Sequence, residues 1–261
     1  VAAFDRLDIP VLAATADALE DWRANEDATD AHLIADGMAG DPLMTLKLLA
    51  HVAGVRSARS SGDPETLTSA LVLLGIGPFF RAFGPQPLVA AHLAGEPQAL
   101  RGFEAVLRRA NRAAAFALGF AVHRMDPDAA ILHVAALLHD FAELLVWLHA
   151  PTLALRIAQA QQADPALRSA VAQRSVLNIE LADLQQALLR AWRLPEMLVR
   201  IEDDRHADTA QVKNVLLAVR VARHSAQGWD NPALADDVRD IAELLNLGET
   251  PTRTLLREID G

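Results

Sequence analysis

Proline marks where this chain starts its helices. Six of the 13 prolines directly follow Asp, Asn or Thr: Asp41-Pro42, Asp63-Pro64, Asp126-Pro127, Asp164-Pro165, Asn231-Pro232 and Thr250-Pro251. Each pair reads as a capping side chain followed by proline at the first helical position. There the cap oxygen accepts an orphan N–H, and proline has no N–H to lose. Gly54 and Gly75 read as closing glycines after the segments that begin at Asp41 and Thr66. The apolar residues repeat at three-to-four spacing: Leu43, Leu46, Leu49 and Ala53; Leu181, Leu184, Leu188 and Trp192; Val212, Val215, Leu216, Val219 and Ala222. Alternating β-branched runs are missing and there is no Tyr. The pattern predicts an all-α chain of about a dozen helices with no significant sheet. The ranges are 10–23, 30–39, 42–53, 65–74, 77–83, 86–94, 98–124, 127–149 (with a break near 138), 152–162, 165–174, 178–193, 195–203, 208–227, 232–245 and 251–258. The cluster of Gly, Pro and Gln over 84–97 is the expected hinge between two lobes, and no fixed repeat suggests a solenoid.

Composition narrows the function. The 261 residues carry 24 Lys+Arg and 34 Asp+Glu, a formal charge of −10, which argues against a general nucleic-acid binder. With 52% hydrophobic residues the chain can bury a sizeable core. Zero cysteines exclude disulfides, thiolate metal sites and a Cys nucleophile, and fit a cytoplasmic protein. No uninterrupted apolar run reaches the roughly 18 residues of a membrane span, so no membrane association is expected. Asp5, Arg6 and Asp8 rule out a visible signal peptide. The chain opens on Val1, which is taken as the mark of a fragment with a partner domain upstream.

The residues that could carry chemistry gather around His139-Asp140, at the end of the apolar run Ala129–Leu138. An imidazole and a carboxylate can both ligate a divalent ion, and the carboxylate can bridge two. Glu143 follows His139 at i+4, and His133 precedes it by six positions. His206 stands in the turn Asp203-Asp204-Arg205-His206. Arg101, Arg108 and Arg112 share one helix face, either as a phosphate contact or as a solvated surface with Glu104 as a partner. Trp22, Trp147, Trp192 and Trp229 read as core anchors, Trp192 at the joint between two helices.

The segment Ala135–Leu145, centred on His139-Asp140, resembles the core motif of the HD superfamily of metal-dependent phosphohydrolases. The chain as a whole resembles the HDOD branch, the HD-related output domain of bacterial signalling proteins. The segments Ile9-Pro10-Val11-Leu12, Ile34–Leu49 around Asp41-Pro42-Leu43, Leu67–Gly75 and Leu188–Pro195 fall in that family's order. The resemblance implies a single two-lobed domain over 1–261, with an N-terminal lobe of about 1–97, an HD-like core of about 98–207 and C-terminal helices of about 208–261. It also implies which positions an active metal site would use. The upstream His position holds Arg109, the distant Asp position holds Val219, and the Gly-Lys that often follows the pair is Ala142-Glu143. Only His139 and Asp140 of four ligands remain, so no catalytic residue and no cofactor are expected.

What the resemblance implies is a non-catalytic regulatory output domain. It would act through a signalling protein or a covalently attached sensor or receiver domain, with a homodimer allowed and no nucleic acid or membrane as partner. Arg109 is then expected to fill the lost metal's place and pair with Asp140. Two alternatives stay open. One is a phosphohydrolase of a nucleotide or cyclic dinucleotide, using Mn, Fe or Mg on His139 and Asp140 with Glu143, His133 or His206. The other is a sensing module whose vestigial pocket binds an anion through Arg109.

Overall fold

In the computed structural model, which describes residues 9–55, 64–164, 166–203 and 209–261, the helical expectation holds. Sixteen α-helices appear among the described residues: α1 (Ala13–Ala24), α2 (Ala31–Met38), α3 (Pro42–Val55), α4 (Leu67–Leu74), α5 (Ile76–Ala82), α6 (Val89–His92), α7 (Pro97–His123), α8 (Ala129–Leu138), α9 (Phe141–His149), α10 (Pro151–Ala163), α11 (Ser169–Leu177), α12 (Leu181–Ala191), α13 (Glu196–Ile201), α14 (Ala210–His224), α15 (Leu234–Leu245) and α16 (Glu249–Asp260). The described residues hold no sheet; the nearest thing is an isolated parallel bridge between Val11 and Leu88.

The chain divides into two compact units, each built from two separated stretches. Unit 1 takes residues 1–106 and 140–196; unit 2 takes 107–139 and 197–261. Both ends of the expected hinge at 84–97 lie in unit 1, and the chain-order segments 1–97, 98–207 and 208–261 do not coincide with these units.

Unit 1 is organised by a buried N-terminal strap. Ile9 and Val11 are fully buried. The Val11 amide donates to Pro87 O at 2.8 Å, and the Val89 amide donates to Val11 O at 3.0 Å. Asp41 caps α3: Oδ1 accepts from the Leu43 and Met44 amides at 2.9 and 3.0 Å, while Oδ2 accepts from the Leu12 amide at 2.9 Å. One carboxylate therefore starts a helix and anchors the strap. Lys47, also buried, donates from Nζ to Ile9 O at 2.7 Å and to Gln86 Oε1 at 2.5 Å. Every residue from Pro42 to Ala50 is buried, so α3 is a core helix on all sides. In the same unit, α9 packs on α10 and α12. Gly102 of α7 meets the buried Trp147 ring so closely that a Cβ there would lie 2.4 Å from it.

Unit 2 is built on the rest of α7 with α8 and α14–α16. α14 packs on α8 and α15, and α15 on α16. The last helix is pinned by Arg112, whose Nε and Nη2 donate to the two Asp260 carboxylate oxygens at 2.6 and 2.9 Å. Trp229 Nε1 donates to Asp260 Oδ2 at 3.2 Å, and Arg257 lies 4.6 Å over the Trp229 ring. A second network joins α14 to α15: Arg220 donates to Asp237 and Asp240, and His224 Nδ1 stands 2.6 Å from Asp237 Oδ2.

Several local readings need correction. α3 does not close at Gly54 but runs through it to Val55, which is 60% exposed. Thr250-Pro251 lies inside the first turn of α16, whose N-cap is Gly248. Asp126 and Asn231 accept from the amides two positions on, Asp128 and Ala233, and their helices begin one residue later. They form side-chain turns that precede a helix. Asp63 and Pro165 lie outside the described residues. The helix expected over 86–94 shrinks to Val89–His92, because Pro87 and Val89 are paired with the strap. The stretch Ala129–His149 is, by length and composition, apolar enough to cross a membrane, which the search for an uninterrupted run missed. It is 61% buried inside the protein and is interrupted at His139-Asp140, as a core segment would be.

Candidate functional site

His139-Asp140 is the turn between α8 and α9. α8 ends at Leu138 because the chain bends at Asp140 (φ −108°, ψ 20°), whose carbonyl then accepts the first amides of α9, Glu143 at 3.0 Å and Leu144 at 3.2 Å. The pair is held from both sides by burial. Leu132 and Val134–Leu138 are buried before it, and Phe141, Ala142 and Leu144–Leu148 after it. Phe141 packs against Trp192 with ring centroids 6.1 Å apart. The Ala142 amide donates to Gln185 Oε1 at 3.4 Å. Trp192 ends α12 and is 6% exposed, so it does plug a joint as its position before Leu194-Pro195 suggested.

The break changes the spacing argument. His139 and Glu143 are four residues apart but do not share one continuous helix, so i,i+4 spacing does not align them. His139 closes the first stretch of unit 2, 107–139, while Asp140 and Glu143 lie at the start of the second stretch of unit 1. Arg109 is on the part of α7 that belongs to unit 2 and is half-buried. Arg109, His139, Asp140 and Glu143 are each engaged with neighbouring groups. His133 lies within α8, and burial pushes its imidazole pKa down, toward the neutral form. His206 lies outside the described residues. Of the arginine face, Arg101 and Arg108 are exposed, whereas Arg112 is committed to Asp260, Ala222 O and Ser225 Oγ. A shared phosphate contact by all three is therefore not built.

Val219, which the resemblance sets against the distant carboxylate of an active site, is 3% exposed on the apolar face of α14 with Val212, Val215 and Ala218. Arg109, which the resemblance sets against the upstream imidazole, is a cation and not a metal ligand. Among the described residues, no three His, Asp or Glu side chains gather closely enough to hold a metal ion. Sequence spacing missed the commitment of Arg112, because Asp260 is 148 positions away and no local signal links them.

The fold has close counterparts. The crystal structure of the MmoQ response regulator from Methylococcus capsulatus strain Bath superposes with a TM-score of 0.71 at 18% identity, covering 96% of this chain and 98% of that one. A virulence factor from Campylobacter jejuni gives 0.67 at 17% identity, covering 96% and 91%. At these identities the likeness establishes the fold alone. No curated protein matches the sequence. The HDOD domain matches residues 9–207, most of the chain, and takes in the buried strap, the Asp41 cap, His139-Asp140 and the Trp192 joint. The chain therefore belongs to the HDOD domain family, a signalling-type branch related to the HD phosphohydrolases.

Proposed function

We propose that this HDOD domain is a non-catalytic output module of bacterial signal transduction that works by contact with a signalling protein or an attached sensor or receiver domain. The observation that carries the reading is the donor set. Where the resemblance expects an imidazole and a carboxylate, the sequence has Arg109 and Val219, and Val219 is buried. A hydrolase of this class needs its metal to acidify the attacking water and to draw charge from the phosphoryl oxygens. Two adjacent ligands leave most of a coordination sphere to water and hold an ion poorly. His139-Asp140 then serves as the turn that joins two core helices. We place the domain in the cytoplasm, on the strength of its cysteine-free sequence.

The test is turnover. The protein is incubated with Mn2+, Fe2+ or Mg2+ and with a cyclic dinucleotide or an activated phosphodiester. The proposal predicts a rate no higher than that of the His139→Ala/Asp140→Ala double variant. A metal-dependent rate well above that variant's would overturn it and assign a phosphohydrolase.

A further inference from the structure

The chain has four methionines and no cysteine, so all of its sulfur is thioether. Three of the four are shielded. Met38 and Met44 are fully buried in unit 1, and Met197 of α13 is half-buried. Met125 in unit 2 is 89% exposed. It closes α7. The Met125 amide donates to Val122 O at 3.0 Å and the Asp126 amide to Ala121 O at 2.9 Å, and Met125 itself takes left-handed backbone with φ 53°. At a helix end of this kind the left-handed residue is most often glycine, because a Cβ there crowds the next carbonyl. Here a long apolar side chain holds that place and stands in water. Leu118 and Val122 precede it by seven and three positions on the same face of α7, and they are 38% and 63% exposed. Exposure therefore rises along one face toward the helix end and is greatest at the residue that carries sulfur.

From this arrangement we propose that Met125 is a reversible oxidation site, at which a peroxide turns the exposed end of α7 from apolar to polar without unfolding the domain. The sulfur lone pair attacks one peroxide oxygen; the O–O bond breaks and an S–O bond forms. Sulfur gives up two electrons, the peroxide takes them, and with hydrogen peroxide the second oxygen leaves as water. A thiol-dependent sulfoxide reductase reverses the change: two thiols close to a disulfide and the oxygen leaves as water. Selectivity follows from access. A buried thioether is reached only when the structure around it opens, which is a minor state. Met125 needs no opening, and no cysteine in the chain competes for the peroxide. The consequence differs in the same way. A sulfoxide on Met38 or Met44 would force a polar group into the core, whereas on Met125 it meets water.

Brief treatment of the full chain with hydrogen peroxide, followed by peptide mass mapping, tests this. Met125 should gain an oxygen faster than Met197, and at least about tenfold faster than Met38 or Met44, which wait for opening. In concentrated urea the four rates should converge. The thermal midpoint of protein oxidised at Met125 should match that of the untreated protein. Its retention on a hydrophobic-interaction column should fall, and a sulfoxide reductase with dithiothreitol should restore it. Met125→Leu keeps an apolar side chain without sulfur; under peroxide it should lose the fast oxidation and keep its retention. Oxygen arriving first at another methionine, or the same order of rates persisting in urea, would overturn the proposal. So would a midpoint lowered by oxidation at Met125, or a retention that does not respond to it.

Discussion

Asp41 in unit 1 and Asp237 in unit 2 are both fully buried carboxylates, and their partners are of different kinds. Asp41 is held by neutral donors: the amides of Leu12, Leu43 and Met44, and the Thr15 hydroxyl. Asp237 is held by the Arg220 guanidinium and the His224 ring, which are 40% and 33% exposed at their side chains. The backbone amides of unit 1 are fixed by the helix start and the strap, so they cannot reach water if the carboxylate leaves. The charged partners of unit 2 already touch water and can turn toward it. A buried charge on backbone dipoles is thus rigid and indifferent to salt, while one on surface-reaching cations is adjustable and screened.

Truncation should separate the two most strongly. Asp41→Ala strands three amides, two of them buried at the start of α3, and removes a helix cap. Unmet buried donors cost about 1–3 kcal/mol each and a cap about 1 kcal/mol. Partial relaxation should bring the total to about 3 kcal/mol, read as a fall in the urea midpoint. Asp237→Ala should cost less, about 2 kcal/mol, because Arg220 and His224 regain water. Equal losses, or a larger one at Asp237, would break the contrast. Raising NaCl to about 1 M, where screening acts within roughly 3 Å, should shrink the Asp237 effect and leave that of Asp41 unchanged.

Two glycines on α7 sharpen the same contrast in packing. A Cβ at Gly102 would press the buried Trp147 ring at 2.4 to 2.7 Å, whereas at Gly119 it would meet the tip of the Ile259 side chain. Gly102→Ala should cost about 1–3 kcal/mol as an overpacked core. Gly119→Ala should fall within about 0.5 kcal/mol of the wild type, because Ile259 can turn aside and alanine favours the helix by up to about 1 kcal/mol. Thermal unfolding of the two variants side by side decides this.

The smallest effects are slopes with pH, of opposite sign in the two units. Burial outweighs four hydrogen bonds at Asp41 and raises its carboxyl above the usual 3.8. The folded state then holds its proton longer than the unfolded state, so this contribution to stability falls as pH rises from about 3.8 through the folded value. At His133 burial lowers the imidazole below 6.5, so its contribution falls as pH drops through 6.5 toward the folded value. Urea midpoints should show wild type losing ground to Asp41→Asn as pH rises above 4. Relative to His133→Gln, it should lose ground as pH falls below 6.5. A reversed sign in either series would refute the assigned cause.

Local physics made the helices legible. The Asp41-Pro42 pair caps α3 as read; Leu188 and Trp192 at the end of α12 and Val212, Val215, Val219 and Ala222 of α14 are buried, while Leu181, Leu184 and Leu216 of the same stripes are half-buried. The break near 138 was visible because His139-Asp140 interrupts an apolar run. Long-range commitments were not legible. Lys47 looks like a surface residue in Thr45-Leu46-Lys47-Leu48, yet its ammonium is buried because Ile9 O and Gln86 come to it from positions 38 and 39 residues away. Arg112 looked like one of a basic face until Asp260 claimed it. At the candidate site, His139 and Asp140 were found from their family setting, and their place as a turn follows from the bend at Asp140.

Metal content bears most directly on the claim that His139-Asp140 is a structural turn. The untagged protein, grown with added manganese and iron, is measured by mass spectrometry beside His139→Ala and Asp140→Ala. The account predicts that neither substitution at the turn changes the content. One or two ions per chain that vanish with His139 or Asp140 would contradict it.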